Sequence, residues 1–153
     1  MGDYEDVMRL ALADAREAPV TGDVPVGAVV IDPAGAVVGR GRNAREASGD
    51  PTAHAEIVAL RQAAASVGLW RLDGCSLAVT LEPCTMCAGA IVQARLARLV
   101  YGAGDPKGGA VGSLWDVVRD RRLSHRPEVV GGVLAGECGE LLSRFFEARR
   151  DVR

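Results

Sequence analysis

The chain has 153 residues, 48% of them hydrophobic and 25% charged, enough for one real core and too few to require two, so a single domain over residues 1–153 is expected. A net charge of −2 and a pI near 5.7 exclude an overall basic field, though not local recognition of a nucleic acid by a basic rim. No apolar run approaches the roughly 20 residues that span a bilayer, the start carries no basic apolar leader, and Asp6 stands where acylation at Gly2 wants Ser or Thr. The expected location is the cytoplasm.

Apolar residues at Val7, Leu10, Ala11 and Ala15 predict a helix from Asp3 to Ala18 with one face on a core. Val24 to Ile31 reads as a strand, Asp32-Pro-Ala-Gly35 is turn chemistry, and Val37 to Gly41 returns as the second strand of a hairpin. A helix is expected from Thr52 to Ala65 and a strand from Ser76 to Thr80. Pro83 suits the junction into a helix from Cys84 to Arg95, followed by a strand at Arg98 to Tyr101. A last strand near Val129 to Val133 leads through Gly136 to a helix from about Cys138 to Arg149. This alternation implies crossover connections and an α/β fold.

Two short runs carry the chemistry: Pro51-Thr-Ala-His54-Ala-Glu56 and Leu81-Glu-Pro-Cys84-Thr-Met-Cys87. One imidazole and two thiolates can hold a tetrahedral zinc and leave its fourth position to water, whose pKa falls to ~7 on coordination. Glu56 is then the carboxylate that moves protons. Residues two apart on a helix diverge by roughly 200°, so His54 and Glu56 cannot share a metal from within a regular turn. At a helix end, one can bind while the other reaches past it. Cys84 and Cys87, three apart, share a face, and a helix N-terminus favours the thiolate form that zinc binds.

Alone, C-x-x-C also fits a redox pair, half of a structural zinc ribbon, or two buried cysteines. A structural zinc wants a fourth protein ligand, and Cys75, Cys138 and His125 form no matching second pair. Two cysteines at a metal and two lone ones suit a reducing compartment better than a disulfide framework.

H-x-E followed by P-C-x-x-C is the pattern of zinc nucleobase deaminases. With it the chain resembles the cytidine deaminase superfamily and, within it, the bacterial tRNA-specific adenosine deaminases. Further fragments carry the resemblance from about Tyr4 to Arg150: Val24-Pro-Val-Gly-Ala28, Gly41-Arg-Asn43, Ala59-Leu-Arg61, Met86-Cys-Ala-Gly-Ala90, Asp105-Pro-Lys107-Gly, Gly112-Ser-Leu114 and Leu141-Leu-Ser-Arg-Phe-Phe146.

The resemblance implies a three-layer αβα sandwich around a mixed five-stranded sheet, with two zinc-bearing helix starts meeting at one end. It implies one Zn2+ per chain held by His54, Cys84 and Cys87, with Glu56 taking a proton from the attacking water and returning protons to the ring nitrogen and the leaving ammonia. The substrate it implies is the wobble adenosine of a tRNA anticodon stem-loop, with arginine tRNA expected, and the product is inosine. Asn43 would then hydrogen-bond the base, as an amide offers both a donor and an acceptor. Asp105 and Lys107 would lie on a Gly-rich loop near the nucleotide. Of Phe145 and Phe146, about 100° apart on a helix, family position favours Phe146 as the packed ring and Phe145 as the ring that meets an unpaired base. His125 serves equally as a structural hydrogen-bonder or a substrate contact. Homodimers are expected, with Ala88-Gly-Ala-Ile-Val92 small enough for close packing.

From Arg119 onward eight Arg face six acids, and the only lysine of the chain is Lys107. The competing reading keeps the zinc chemistry but takes a free base or nucleoside such as cytosine, guanine or cytidine. Such a substrate requires neither Asn43, nor the Asp105 loop, nor the Arg-flanked phenylalanines. A non-enzymatic partner built on the same fold would have lost the carboxylate, and Glu56 is intact.

Overall fold

A computed structural model describes residues 4–152. Met1, Gly2, Asp3 and Arg153 lie outside the described residues, and with them the reading of the Met1-Gly2 start and the first residue of the expected Asp3 helix. The elements are α1 (Glu5–Glu17), a 3-10 turn (Ala18–Thr21), β1 (Gly27–Ile31), β2 (Val37–Arg42), α2 (Arg45–Ser48), α3 (Ala55–Val67), β3 (Ser76–Leu81), α4 (Thr85–Gln93), β4 (Arg98–Ala103), β5 (Glu128–Val130) and α5 (Ala135–Val152). None of the helices among the described residues is long and apolar enough to cross a membrane.

The strands form one sheet in the order β2-β1-β3-β4-β5. β1 runs antiparallel to both β2 and β3, whereas β3, β4 and β5 are mutually parallel, which makes the expected mixed five-stranded sheet. Successive strand residues point to opposite faces, so each strand feeds two cores. Ala28, Val30, Leu77, Val79 and Leu99 pack with Ala55, Ala59, Ala63, Ala88 and Ile91 of α3 and α4. Val29, Ala78 and Val100 pack on the other face with Met8, Ala11 and Leu12 of α1 and Cys138 of α5. The αβα layering follows directly.

The first turn of α3 is seated by absent side chains. Gly39 and Gly41 of β2 lie under an alanine stripe, and a Cβ on Gly41 would come to 2.6 Å from the Ala55 carbonyl oxygen. Only glycine lets the helix start approach the sheet so closely, and that start carries His54 and Glu56.

Several boundaries differ from expectation for local reasons. β1 begins at Gly27, not Val24, because Pro25 has no N–H for a ladder and the Val26 N–H turns back to the Val24 carbonyl at 2.9 Å. α3 begins at Ala55, leaving Thr52 and His54 outside it, and α4 begins at Thr85, leaving Cys84 outside it. α4 ends at Gln93, and Arg95, expected inside it, has φ 65. β5 covers Glu128–Val130, short of the expected Val133, and α5 starts at Ala135, so Gly136 lies within its first turn instead of breaking the chain before it. The short α2 was not foreseen. The buried Asp23 carboxylate holds it by accepting the Glu46 and Ala47 N–H groups at 2.7 and 3.1 Å.

Candidate active site

His54 and Cys84 occupy equivalent places in two different helices. Each is the extended residue just before a helix, with φ, ψ of −72°, 155° and −75°, 178°. Freed from helical geometry, His54 turns toward the metal position while Glu56, already in α3, points past it; this answers the angular conflict posed by their spacing. Cys87 lies one turn into α4 and is fully buried. The parallel pairing of β3 with β4 and the packing of α3 beside α4 bring the two helix starts together at the carboxyl end of β3.

The His54 Nδ1 atom lies 3.6 Å from the Cys84 Sγ and 3.5 Å from the Cys87 Sγ. A tetrahedral zinc, ~2.3 Å from sulfur and ~2.0 Å from nitrogen, sets those atoms about 3.6 Å apart, which both nitrogen–sulfur separations match. All ligand atoms of the group lie within 4.8 Å of one another. The hydrogen bond with Cys87, followed by that with His54, holds the Cys84 thiol far below its usual range, against the effect of burial. The same contact and burial push the Cys87 thiol up. The Cys84 hydrogen bond raises His54. Ligation requires both sulfurs as thiolates and the imidazole neutral, so zinc binding would release the protons that these groups hold.

Glu56 is 4% exposed. Burial, reinforced by Cys84, raises its carboxyl to about 7, with His54 opposing. It lines a cavity of about 180 Å3 together with His54, Cys84, Asn43, Arg45, Glu82 and Asp105. The Asn43 amide is half-buried there, donating to the Val24 carbonyl at 3.3 Å. Asp105, Val24 and Leu81 also line a second depression of about 900 Å3, so the two spaces share a wall. The larger one is bordered by Lys107, Leu142, Phe146, Arg149 and Arg150.

The structure reverses the two phenylalanines. Phe146 is 45% exposed and faces the groove, while Phe145 is half-buried away from it, with the Arg149 guanidinium 5.0 Å over its ring. Leu142 and Phe146, four apart, share the helix face turned to the groove, which leaves Phe145 on the adjacent one. Asp105 uses its carboxylate within its own loop, accepting the Lys107 and Gly108 N–H groups at 3.2 Å each. His125 bonds the Leu96 carbonyl at 2.7 Å, a structural tie. Of the expected dimer run, Ala88, Ile91 and Val92 are spent in the chain's own core.

Sequence reasoning missed two residues at this site. Arg45 borders the inner cavity, and its only signal is a cation two places after Asn43. Glu82 reads in the sequence only as part of the Leu81-Glu-Pro-Cys84 run, yet its buried carboxylate accepts hydrogen bonds from Asp105, Val111 and Ser113. Burial raises its pKa, and the Ser113 hydroxyl with those amides overrides that, leaving the group below its usual value.

Residues 1–103 match the family of cytidine and deoxycytidylate deaminase zinc-binding regions. The tRNA-specific adenosine deaminase of Haemophilus influenzae is 50% identical over 97% of this chain and 86% of its own. A solved structure from work on A-to-I editing by tRNA:A34 deaminases at the wobble position of transfer RNA is 47% identical, with a TM-score of 0.83 over 90% of this chain and 99% of that one. The guanine deaminase of Nitrosomonas europaea is 26% identical, with a TM-score of 0.79 over 95% and 85%. The chain belongs to the cytidine and deoxycytidylate deaminase family and, within it, to the tRNA-specific adenosine deaminases.

Proposed function

We infer that this chain is a zinc-dependent hydrolase that deaminates adenosine to inosine at the wobble position of a tRNA anticodon. One observation carries the choice of substrate: the cavity beside His54, Cys84 and Glu56 opens along Asp105 into a groove far larger than a free base requires. Four cations line the two spaces, Arg45, Lys107, Arg149 and Arg150, and none has a carboxylate partner among the described residues. Arg40, Arg42, Arg61, Arg98 and Arg119 are each paired with an acid, whereas Arg16, Arg95, Arg121 and Arg126 have no such partner among the described residues, so it is the convergence of Arg45, Lys107, Arg149 and Arg150 on the joined spaces that bears on the substrate. Unpaired cations beside an exposed ring are what a splayed, phosphate-linked loop needs. The 50% identity to a tRNA-specific adenosine deaminase over 97% of the chain, against 26% over 95% and 39% over 67% to two guanine deaminases, supports the same choice over a free base.

His54, Cys84 and Cys87 would hold a zinc ion, which would supply a water acidified to about neutral pH. Three carboxylates border the inner cavity, and two are committed: Glu82 to its loop and Asp105 to its own turn. Glu56 is therefore the proton carrier, accepting from the attacking water and delivering to the ring nitrogen and the departing amine at C6. Asn43 orients the base edge. Phe146, in place of the expected Phe145, offers the stacking face for a neighbouring base, and Lys107 lies beside the backbone.

One zinc per chain, one deaminase unit over residues 1–153, arginine tRNA as the target and a cytoplasmic location complete the reading. A homodimer is supported by an apolar groove of about 330 Å3 between α3 and α4, bordered by Ile57, Leu60, Ala90 and Trp70, the last 65% exposed.

The test is incubation of zinc-loaded protein with an arginine-tRNA anticodon stem-loop bearing a wobble adenosine, beside free adenosine, cytidine and guanine. Inosine in the stem-loop alone is expected; turnover of a free base with the stem-loop untouched would overturn the substrate assignment.

A further inference from the structure

Glu82 follows the last residue of β3 and stands two residues before Cys84, on the turn that carries this cysteine to His54. Its carboxylate is 2% exposed and has no cationic partner among the described residues. Its partners all come from one loop. One oxygen accepts the Asp105 N–H at 3.0 Å and the Ser113 hydroxyl; the other accepts the Val111 and Ser113 N–H groups at 2.9 and 3.1 Å. Gly109 lies against the same group, where a Cβ would overlap the carboxylate.

The neighbours of Glu82 extend the attachment. The Glu82 N–H donates to the Ala103 carbonyl and the Ala110 N–H to the Pro83 carbonyl, both at 2.8 Å. The Trp115 indole N–H reaches the Thr85 hydroxyl at 2.9 Å. A buried carboxylate without a cation is tolerable only while its hydrogen bonds are made, so the loop cannot lift without stranding the charge. That loop carries Asp105, on the wall shared by both cavities, and Lys107, on the outer one.

We propose that Glu82 is a positioning residue that locks the 105–113 loop to the Cys84 turn and thereby sets the affinity for the RNA segment, not the chemistry. This rests on the reading of the site as an RNA adenosine deaminase. Glu82→Gln keeps the volume and turns an acceptor into a donor facing N–H groups.

With the zinc-loaded enzyme, zinc content should stay at the wild-type value and kcat for the stem-loop within about threefold. KM should rise about tenfold or more, in line with the ~100-fold that misplaced positioning groups can cost. Amide exchange at Asp105, Val111 and Ser113 should accelerate while α3 is unchanged. Ser113→Ala removes one of the donors without touching the carboxylate and should shift KM and exchange in the same direction by less; it carries the test if Glu82→Gln fails to fold. Unchanged KM with unchanged loop protection overturns the proposal, as does loss of zinc or of kcat with KM held. Exchange is read without substrate, so a wild-type protein that leaves the stem-loop unedited would sink the functional reading and not the anchor.

Discussion

The four unpaired cations around the joined cavities make a quantitative prediction about salt. Each phosphate neutralised on a single strand contributes ~0.7 to the slope of log K against log salt, so four contacts give about −2.8 and a loss of ~50-fold between about 50 and 200 mM. Removing one of them, as in Lys107→Ala or Arg149→Ala, should reduce the slope by ~0.7 and leave a ~20-fold loss over the same range. Arg71, paired with Asp73 outside both cavities, is the control and should leave the slope unchanged when replaced. The assay is fluorescence anisotropy of a labelled anticodon stem-loop titrated with protein at several KCl concentrations, all in the Glu56→Ala background to prevent turnover. A slope indifferent to Lys107, Arg149, Arg45 and Arg150 together, or one equally sensitive to Arg71, would refute the phosphate role.

Glu56→Ala should retain zinc by elemental analysis and lose at least ~10²–10⁴-fold in inosine formation, the usual worth of general acid–base catalysis; retained turnover would remove Glu56 from its role. The Asp23 carboxyl has its pKa held down by the Thr21 hydroxyl and the Glu46 and Ala47 amides in spite of burial. Its folded pKa therefore lies below the unfolded one, so its stabilisation is present above the ordinary carboxyl pKa of about 3.9 and lost as pH falls through the folded value. Between about pH 5 and pH 3 the urea midpoint of the wild type should accordingly fall further than that of Asp23→Asn; parallel declines would contradict the assignment. Gly41→Ala drives a Cβ against the Ala55 carbonyl and should cost about 1–3 kcal/mol, visible by calorimetry as a Tm several degrees lower. An unchanged Tm would show that α3 can retreat freely.

What the sequence disclosed and what it withheld divide along sequence separation. The site was legible because its chemistry is written in two short runs, His54-Ala-Glu56 and Cys84-Thr-Met-Cys87, and the sheet because β1 and β3 are short, nearly continuous apolar runs that suit strands buried on both faces. The α3 and α4 starts are expected three and one residues early, and the α5 start about three late: His54 and Cys84 look helical by pattern, and only their extended backbones free them to converge. The Glu82 to Ser113 clamp and the Asp23 support of α2 join residues more than twenty apart, and no local pattern announces either. The exchange of Phe145 and Phe146 arose because adjacent helical positions are told apart by what the helix packs on, and that comes from distant strands.

The meeting of two helix starts at one point has a consequence for the protein once its metal is gone. Each start presents roughly half a positive charge, fixed in the backbone and unable to dissociate. The Cys84 thiolate that this environment and its partners favour is half-buried, not sealed. Thiolates are the species that alkylating agents and peroxides attack. Of the four cysteines only Cys84 is not buried, so the features that suit the site to zinc also leave this sulfur the one most open to attack, and a bound zinc would shield it. Iodoacetamide should accordingly label Cys84 ahead of the three buried cysteines in metal-free protein, and added zinc should slow that labelling.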